Sequence, residues 1–211
     1  MGADSNESSE LRRRIERGDE TALMELFACH RERLKRMVKL RLDRRLQGRL
    51  DASDVLQEAY LDVARRAREY VASPSIPVFL WLRWITGQRL VTLHRKHFGS
   101  KARDVGMEVS LCHGELPQAS SVSLAAMLLG RLTSPTRAAL RAELQLRVQE
   151  ALNAMEPIDR EILSLRHFEE LNNNEAAQVL GISKTAASNR YVRALKRLKE
   201  ILAVMPGFLE Q

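Results

Sequence analysis

The sequence predicts an all-α protein: two small helical domains joined by a flexible linker, the C-terminal one a helix-turn-helix. Three observations carry that expectation. Apolar residues recur at helical spacing through most of the chain, and no segment sustains the period-two alternation of a strand. The periodicity fades between about 99 and 140, where small residues gather at Gln118-Ala119-Ser120-Ser121-Val122-Ser123. A turn centred on Gly181 separates two amphipathic patterns near the C-terminus. Composition agrees: of 211 residues 45 % are hydrophobic, 29 % charged and 5 % aromatic, with ten glycines and six prolines. Those figures exclude collagen-like and disordered chains and provide enough apolar material for a core. No run approaches the roughly 18 apolar residues of a membrane span. The first ten residues are polar and have neither the basic start nor the apolar run of a signal peptide. Two cysteines, Cys29 and Cys112, make a disulfide scaffold implausible and fit a reducing, cytoplasmic setting.

The elements follow in order. Ala22, Leu23, Leu26, Phe27, Leu34, Met37 and Val38 predict a long helix over about 20–46, ended by Gly48. Asp51 or Ser53 is placed to cap a second helix, whose apolar face is Val55, Leu56, Ala59, Tyr60, Val63 and Ala64, running to about Tyr70. Pro74 and Pro77 force a loop over 72–77, because proline breaks a helix interior. An apolar helix with Trp81 and Trp84 follows over 79–96. Within the linker one short amphipathic helix is placed at 124–132. Helical spacing returns over 136–155, restarts at Pro157, where a first-turn proline is tolerated, and continues through 171–180 and 184–204. The resulting domains are an extension over 1–19, a helical domain over 20–98, the linker over 99–140 and the helix-turn-helix domain over 141–211.

Charge is distributed unevenly. The net formal charge is +7, and residues 1–98 hold 20 Lys/Arg against 14 Asp/Glu. Residues 150–175 carry seven acids and two bases, whereas 184–199 carry six bases and no acid. An all-basic stretch beside an acidic one points to a face directed at a polyanion. It coincides with the helix-turn-helix pattern. Ala176, Ala177, Val179 and Leu180 precede Gly181, where a positive φ carries no steric penalty, Ile182 fills the angle between the helices, and Ser183 is positioned to cap the second. In that second helix Val192, Leu195, Leu198 and Leu202 are expected to form the apolar stripe. Arg190, Arg193 and Arg197 form a separate cationic one, a division suited to insertion in a major groove. Lys184, Thr185, Ser188 and Asn189 near its start are of types that contact base edges or phosphates.

In the N-terminal half, Asp54, Gln57, Glu58 and Asp62 share the polar face of the second helix. Residues 31–49 are densely basic, and the segment from Phe79 to Leu90 mixes aromatics with bases, a combination that suits stacking on single-stranded nucleic acid. With these motifs in view, the chain resembles the extracytoplasmic-function (group IV) sigma factors of bacterial RNA polymerase. Asp54-x-x-Gln57-Glu58 is similar to the family's core-docking helix, Trp81-Leu82-x-x-Ile85 to the helix that contacts the −10 region, and the stretch from Leu152 through Arg160-Glu161-Ile162-Leu163 into the helix-turn-helix to the −35-reading domain. The resemblance covers about 20–98 and 141–203. It departs at Thr86-Gly87-Gln88, where the family usually has Ala-Arg-Asn, and at Ser188, where it usually carries a base.

The resemblance implies a non-enzymatic subunit that directs core RNA polymerase to promoters and assists melting. Asp54, Gln57, Glu58 and Asp62 would dock on the β′ clamp helices, and the C-terminal domain would meet the β flap. Tyr70, Ser73, Phe79, Arg83, Gln88, Arg89, Arg95 and Lys96 would contact the −10 element, with the loop at 70–77 capturing a flipped base. Lys184, Thr185, Ser188, Asn189, Arg190, Arg193 and Arg197 would contact the −35 element. An anti-sigma factor is a further implied partner; no cofactor, metal or membrane insertion is expected. The competing reading is a free-standing helix-turn-helix regulator, which leaves Asp54-x-x-Gln57-Glu58 without a role. A zinc site from Cys29-His30, Cys112-His113, His94 and His97 matches no standard ligand spacing, and an acid-clustered hydrolase helix lacks histidines at matching positions.

Overall fold

The computed structural model describes residues 10–11, 13–98, 116–132 and 138–203. All regular structure among them is helical, and the chain divides into two units, Met1–Pro117 and Gln118–Gln211. The division falls inside the span expected as linker. Cys112-His113 lies outside the described residues.

The N-terminal unit is built on α1 (Glu20–Arg41), α2 (Ala52–Ala72) and α3 (Val78–Phe98), each packed on the other two. α1 starts where the Asp19 carboxylate accepts the Thr21 and Ala22 amides at 3.0 and 3.3 Å, satisfying donors that a helix start leaves open. The Thr21 hydroxyl and Arg14 hydrogen-bond the same carboxylate and hold it down at about 2. α1 ends five residues before the expected 46. Asp43 accepts from the Arg45 amide at 2.8 Å, a local bond that competes with the helix ladder, and its own amide donates to His94 Nε2 at 3.4 Å. Burial pushes the imidazole of His94 below its ordinary value, so it is available as this acceptor.

α2 begins with a reciprocal capping box. The Asp51 side chain accepts the Ser53 and Asp54 amides, and Asp54 Oδ2 accepts the Asp51 amide at 2.8 Å. Leu34, Met37, Val38, Val55, Leu56, Ala59, Val63, Leu82, Ile85 and Leu90 are almost entirely removed from water and form the core between the three helices. Each buried Leu, Ile or Val contributes about 1.5–3 kcal/mol relative to exposure, so this cluster holds the unit together. Ala64, expected on the apolar face of α2, is exposed instead, and Ala67 and Tyr70 continue that face inward.

The C-terminal unit contains α4 (Ser121–Leu132), α5 (Ala138–Asn153), α6 (Pro157–Leu163), a π-helical turn (Ser164–Phe168), α7 (Asn173–Leu180) and α8 (Lys184–Ala203). α4 packs on α5 through Leu124, Ala125 and Leu129. Its N-terminal approach is tied down by the Ala119 amide, which donates to Glu161 at 3.0 Å. Arg160 hydrogen-bonds the carbonyls of Leu152 and Met155 at 3.0 and 3.2 Å, closing the α5–α6 turn, and Pro157 occupies the first turn of α6. α7 carries a second capping box, between Asn172 and Glu175, and ends at Gly181 in the left-handed region, φ 64°.

Gly87 marks a close approach in the N-terminal unit. A Cβ there would lie 2.0 Å from Cδ2 and 2.8 Å from Cγ of Leu116, so the leucine rests against bare backbone of α3. Gly87→Ala is expected to displace Leu116. The helix gains about 1 kcal/mol of propensity, offsetting part of the lost contact. Unfolding stability should therefore change by no more than about 1 kcal/mol, while the Leu116 methyl groups lose their contact with α3. Methyl NMR shifts of Leu116 read alongside urea unfolding check both.

Candidate nucleic-acid interface

The exposed face of α2 in the N-terminal unit carries Asp54, Gln57 and, half-exposed, Glu58. Asp54 is engaged in the capping box, so one of its carboxylate oxygens belongs to the helix start. Between these polar positions the structure adds a residue absent from the sequence expectation: Leu61, 56 % exposed and one turn beyond Gln57. It places one large apolar side chain within an otherwise polar and acidic face. Asp62 is placed differently. It is only 17 % exposed and grips Arg89 of α3: Nε donates to Oδ2 at 2.8 Å, with a second short contact from Nη2, while Nη1 reaches Glu58 at 3.4 Å. Thus Asp62 and Arg89, expected on two separate contact surfaces, are partners within one seam between α2 and α3.

The expected −10 residues divide by burial. Ser73, Gln88, Arg95 and Lys96 are exposed. Tyr70, Phe79 and Arg83 are buried, contrary to their expected presentation to DNA. Tyr70 stacks on Trp81 at 4.2 Å between ring centroids, and its hydroxyl donates to the Ile76 carbonyl at 2.6 Å. The Phe79 ring is covered by the Arg33 guanidinium at 3.6 Å and lies near His30. These aromatic side chains brace the loop and the start of α3, because a large ring gains most from burial. Two residues that the expectation left out take the exposed positions. Trp84 is 39 % exposed, and Arg66 of α2 sits 5.5 Å above its ring while donating to Gln88 at 2.8 Å. An indole, a guanidinium and an amide in one exposed group offer both a stacking plane and hydrogen-bond donors to a single strand.

In the C-terminal unit Lys184, Thr185, Ser188, Asn189, Arg193 and Arg197 are all exposed along α8. Ser183 caps that helix by accepting the Ala186 amide at 3.1 Å, and Asn173 of α7 donates to the Lys184 carbonyl at 2.9 Å, so the helix start is held from two sides. Two expectations are corrected. The buried side of α8 is Ala187, Ala194 and Leu198, flanked by partly buried Tyr191 and Leu195, whereas Val192 is 61 % exposed. Small alanines let α8 approach α6 closely, which turns the stripe away from Val192. Arg190 is likewise not part of a free cationic stripe. Its Nη1 donates to Glu156 at 2.8 Å and Asp159 at 2.9 Å, both in the first turn of α6 or just before it. This contact holds the Glu156 carboxyl below the usual carboxylate range and raises the guanidinium pKa. At the π-helical turn, Tyr191 pairs with His167 at 3.1 Å and Arg166 lies 5.1 Å over its ring.

Residues 145–198 match the family model for sigma-70, region 4, and that span covers α6, α7 and all but the last turn of α8. No curated protein sequence matches the chain. Among solved structures, the chain is similar to CnrH in complex with the cytosolic domain of CnrY, with 21 % identity over 93 % of this chain and 97 % of that one and a TM-score of 0.55; the fold is shared. It also matches the sigma factor RpoE of Bartonella quintana, in a co-crystal with the anti-sigma factor NepR, at 17 % identity over 86 % and 96 % of the two chains, TM-score 0.47.

The Arg190 geometry has a direct consequence. Arg190→Ala is expected to lower the thermal midpoint near neutral pH, whereas Arg193→Ala, at an exposed position, leaves it unchanged. A carboxyl depressed in the folded state stabilises fully above its unfolded value, 4.5 for Glu156, and that contribution disappears as pH falls through the depressed value. The gap between native chain and Arg190→Ala should therefore narrow as pH drops below about 4.5. Circular-dichroism melts across pH 3–8 measure it.

Proposed function

We infer that this chain is a sigma factor of the extracytoplasmic-function type, which directs core RNA polymerase to specific promoters and assists the opening of promoter DNA. The observation that carries the inference is the sigma-70 region 4 match at 145–198, coinciding with a capped helix-turn-helix whose outward face is polar and cationic. The free-standing regulator gains no support beyond the helix-turn-helix itself and leaves the outward face of α2 unexplained.

In this reading residues 141–211 bind the −35 element as duplex through α8, with Lys184, Thr185, Ser188, Asn189, Arg193 and Arg197 at the DNA. Residues 20–98 dock on the β′ clamp helices through Asp54, Gln57, Glu58 and Leu61. They also receive the −10 strand on the exposed group of Trp84, Arg66 and Gln88, with Ser73, Arg95 and Lys96 nearby in sequence. Arg89 and Asp62 act as positioning residues for both surfaces, and Arg190 positions α8 instead of reading bases. The connector between the two units falls within 99–117, and α4 packs with the C-terminal unit. Each DNA contact surface is small, and both gain from being held on one polymerase, where the second binding event is effectively intramolecular. Unstacking a base requires a few kcal/mol, which aromatic stacking offsets at about 1–3 kcal/mol per base, so opening proceeds without nucleotide hydrolysis by this chain. The setting is the cytoplasm, where the polymerase and its template are. Both similar structures hold a partner protein, CnrY in one and an anti-sigma factor in the other, and an anti-sigma partner is the regulatory arrangement we propose here.

Run-off transcription with purified core polymerase on a fragment library tests the function: discrete starts dependent on this protein are expected, and their absence together with no co-elution with core would sink the reading. Leu61→Glu tests the docking face. Leu61 is exposed and outside the core, so the helical spectrum should be unchanged while affinity for core polymerase falls at least tenfold, about 1.4 kcal/mol. Unchanged core affinity would remove Leu61 from the interface.

A further inference from the structure

On the side of α8 opposite its packed alanines, Val192 is the one large apolar side chain among the described residues. Val192 is 61 % exposed, among the most open large hydrophobic side chains in the described residues. Single exposed apolar residues are ordinary on protein surfaces and carry no meaning alone. Its surroundings give this one a meaning. Ser188 and Asn189 lie one turn before it, Arg193 and Lys196 beside and one turn after it, and all four are exposed. The polar and cationic side chains around Val192 suit an anionic, hydrogen-bonding partner, and a polyanion bearing isolated apolar groups matches both the frame and its centre. The major groove of duplex DNA is such a surface: it presents phosphates along its rims, hydrogen-bonding base edges on its floor, and one apolar group, the 5-methyl of thymine.

Position along the helix agrees with this. Val192 is the ninth residue of α8, so at 1.5 Å per residue it lies about 12 Å from the helix start. That distance is about the width of the major groove, within the part of a recognition helix that reaches base edges. Val192 is also stiff at χ1 because it is branched at Cβ, so its two methyl groups project in a fixed direction with little entropy to lose. We propose that Val192 is a specificity-determining residue of this protein: its exposed methyls contact the 5-methyl of a thymine in the upstream promoter element and select thymine over other bases at that step. The inference rests on the reading of α8 as the −35 recognition helix and adds which base feature one of its residues selects.

The test removes methyl groups singly from both partners. Holoenzyme is formed from the full chain and core polymerase, and its promoter is obtained by selection from a random fragment pool. Each thymine of the upstream element, on either strand, is then replaced by deoxyuridine, which lacks only the 5-methyl, and affinity is measured by competition. For the native protein one thymine should show a loss of about fourfold on replacement, the effect of one buried methyl-sized group. In Val192→Ala the thymine-containing promoter should bind about as weakly as the deoxyuridine form binds the native protein, with no further loss on replacement. Because Val192 is exposed, the thermal midpoint of the variant should be unchanged, and this is measured in parallel. If an upstream element is selected but no thymine in it shows methyl dependence, or if the dependence survives Val192→Ala, the assignment of Val192 is overturned while the sigma-factor reading stands. If the holoenzyme selects no upstream element, both fall together.

Discussion

The contact of Arg190 with Glu156 and Asp159 fastens α8 to the start of α6. Ala187, Ala194 and Leu198 turn one side of α8 inward, and the small alanines allow the close approach that places these charges within reach. The guanidinium adds a bracket to that packing. It is anchored to two carboxylates at the start of α6, where the helix N-terminus itself favours negative charge. Every residue proposed for duplex contact, from Lys184 to Arg197, takes its orientation from this bracket and from the Ser183 and Asn173 bonds at the helix start. The acidic stretch over 150–175 and the basic stretch over 184–199 look in sequence like separate surfaces. Through Arg190 they meet as opposing sides of a single intramolecular joint.

The N-terminal unit solves the same problem with different residues. Arg89 reaches from α3 across to Asp62 and Glu58 on α2, and Arg66 reaches from α2 back to Gln88. Crossed pairs of this kind set the register between two helices whose apolar cores would tolerate sliding. They leave Leu61 on one outward surface and Trp84 on another, each in a defined direction. In both units, therefore, some of the charge that suggests nucleic-acid binding is spent on holding the helices that present the remainder. Long charged side chains pack along apolar surface and reach partners at a distance, which is why composition alone does not separate the two uses.

Much of the architecture is legible in the residues themselves. Helical periodicity locates the helices, Asp51 and Pro157 mark two starts, and Gly181 marks the turn of the helix-turn-helix, because each of these rests on interactions within a few residues of chain. The departures lie where the deciding interaction is distant. Val192, Leu195, Leu198 and Leu202 form a valid helical stripe, and so do Ala187, Tyr191, Ala194 and Leu198; choosing between them depends on α6, whose close approach only small side chains permit. Arg190 is 34 residues from Glu156, and nothing local links them. α1 stops short of its apolar periodicity where Asp43 accepts from the Arg45 amide and its own amide reaches His94, 51 residues away. Tyr70, Phe79 and Arg83 share a segment with exposed DNA-facing candidates, and only packing separates the two sets. Legibility thus falls with the sequence separation of the contact that decides each position.

The loop after α2 illustrates what a single hydrogen bond does beyond its own strength. Residues 73–77 hold Pro74 and Pro77, whose φ angles are already restricted, and the Tyr70 hydroxyl fastens the Ile76 carbonyl while its ring lies flat on Trp81. Few conformations are left to this segment before anything binds. A flexible loop of the same length would lose roughly 1–2 kcal/mol of backbone entropy per residue on being ordered around a partner. Here part of that ordering is already present in the folded chain, so a partner docking at this loop would meet a surface with a shape of its own. Discrimination at such a loop would follow from fit and not from the capacity to adapt.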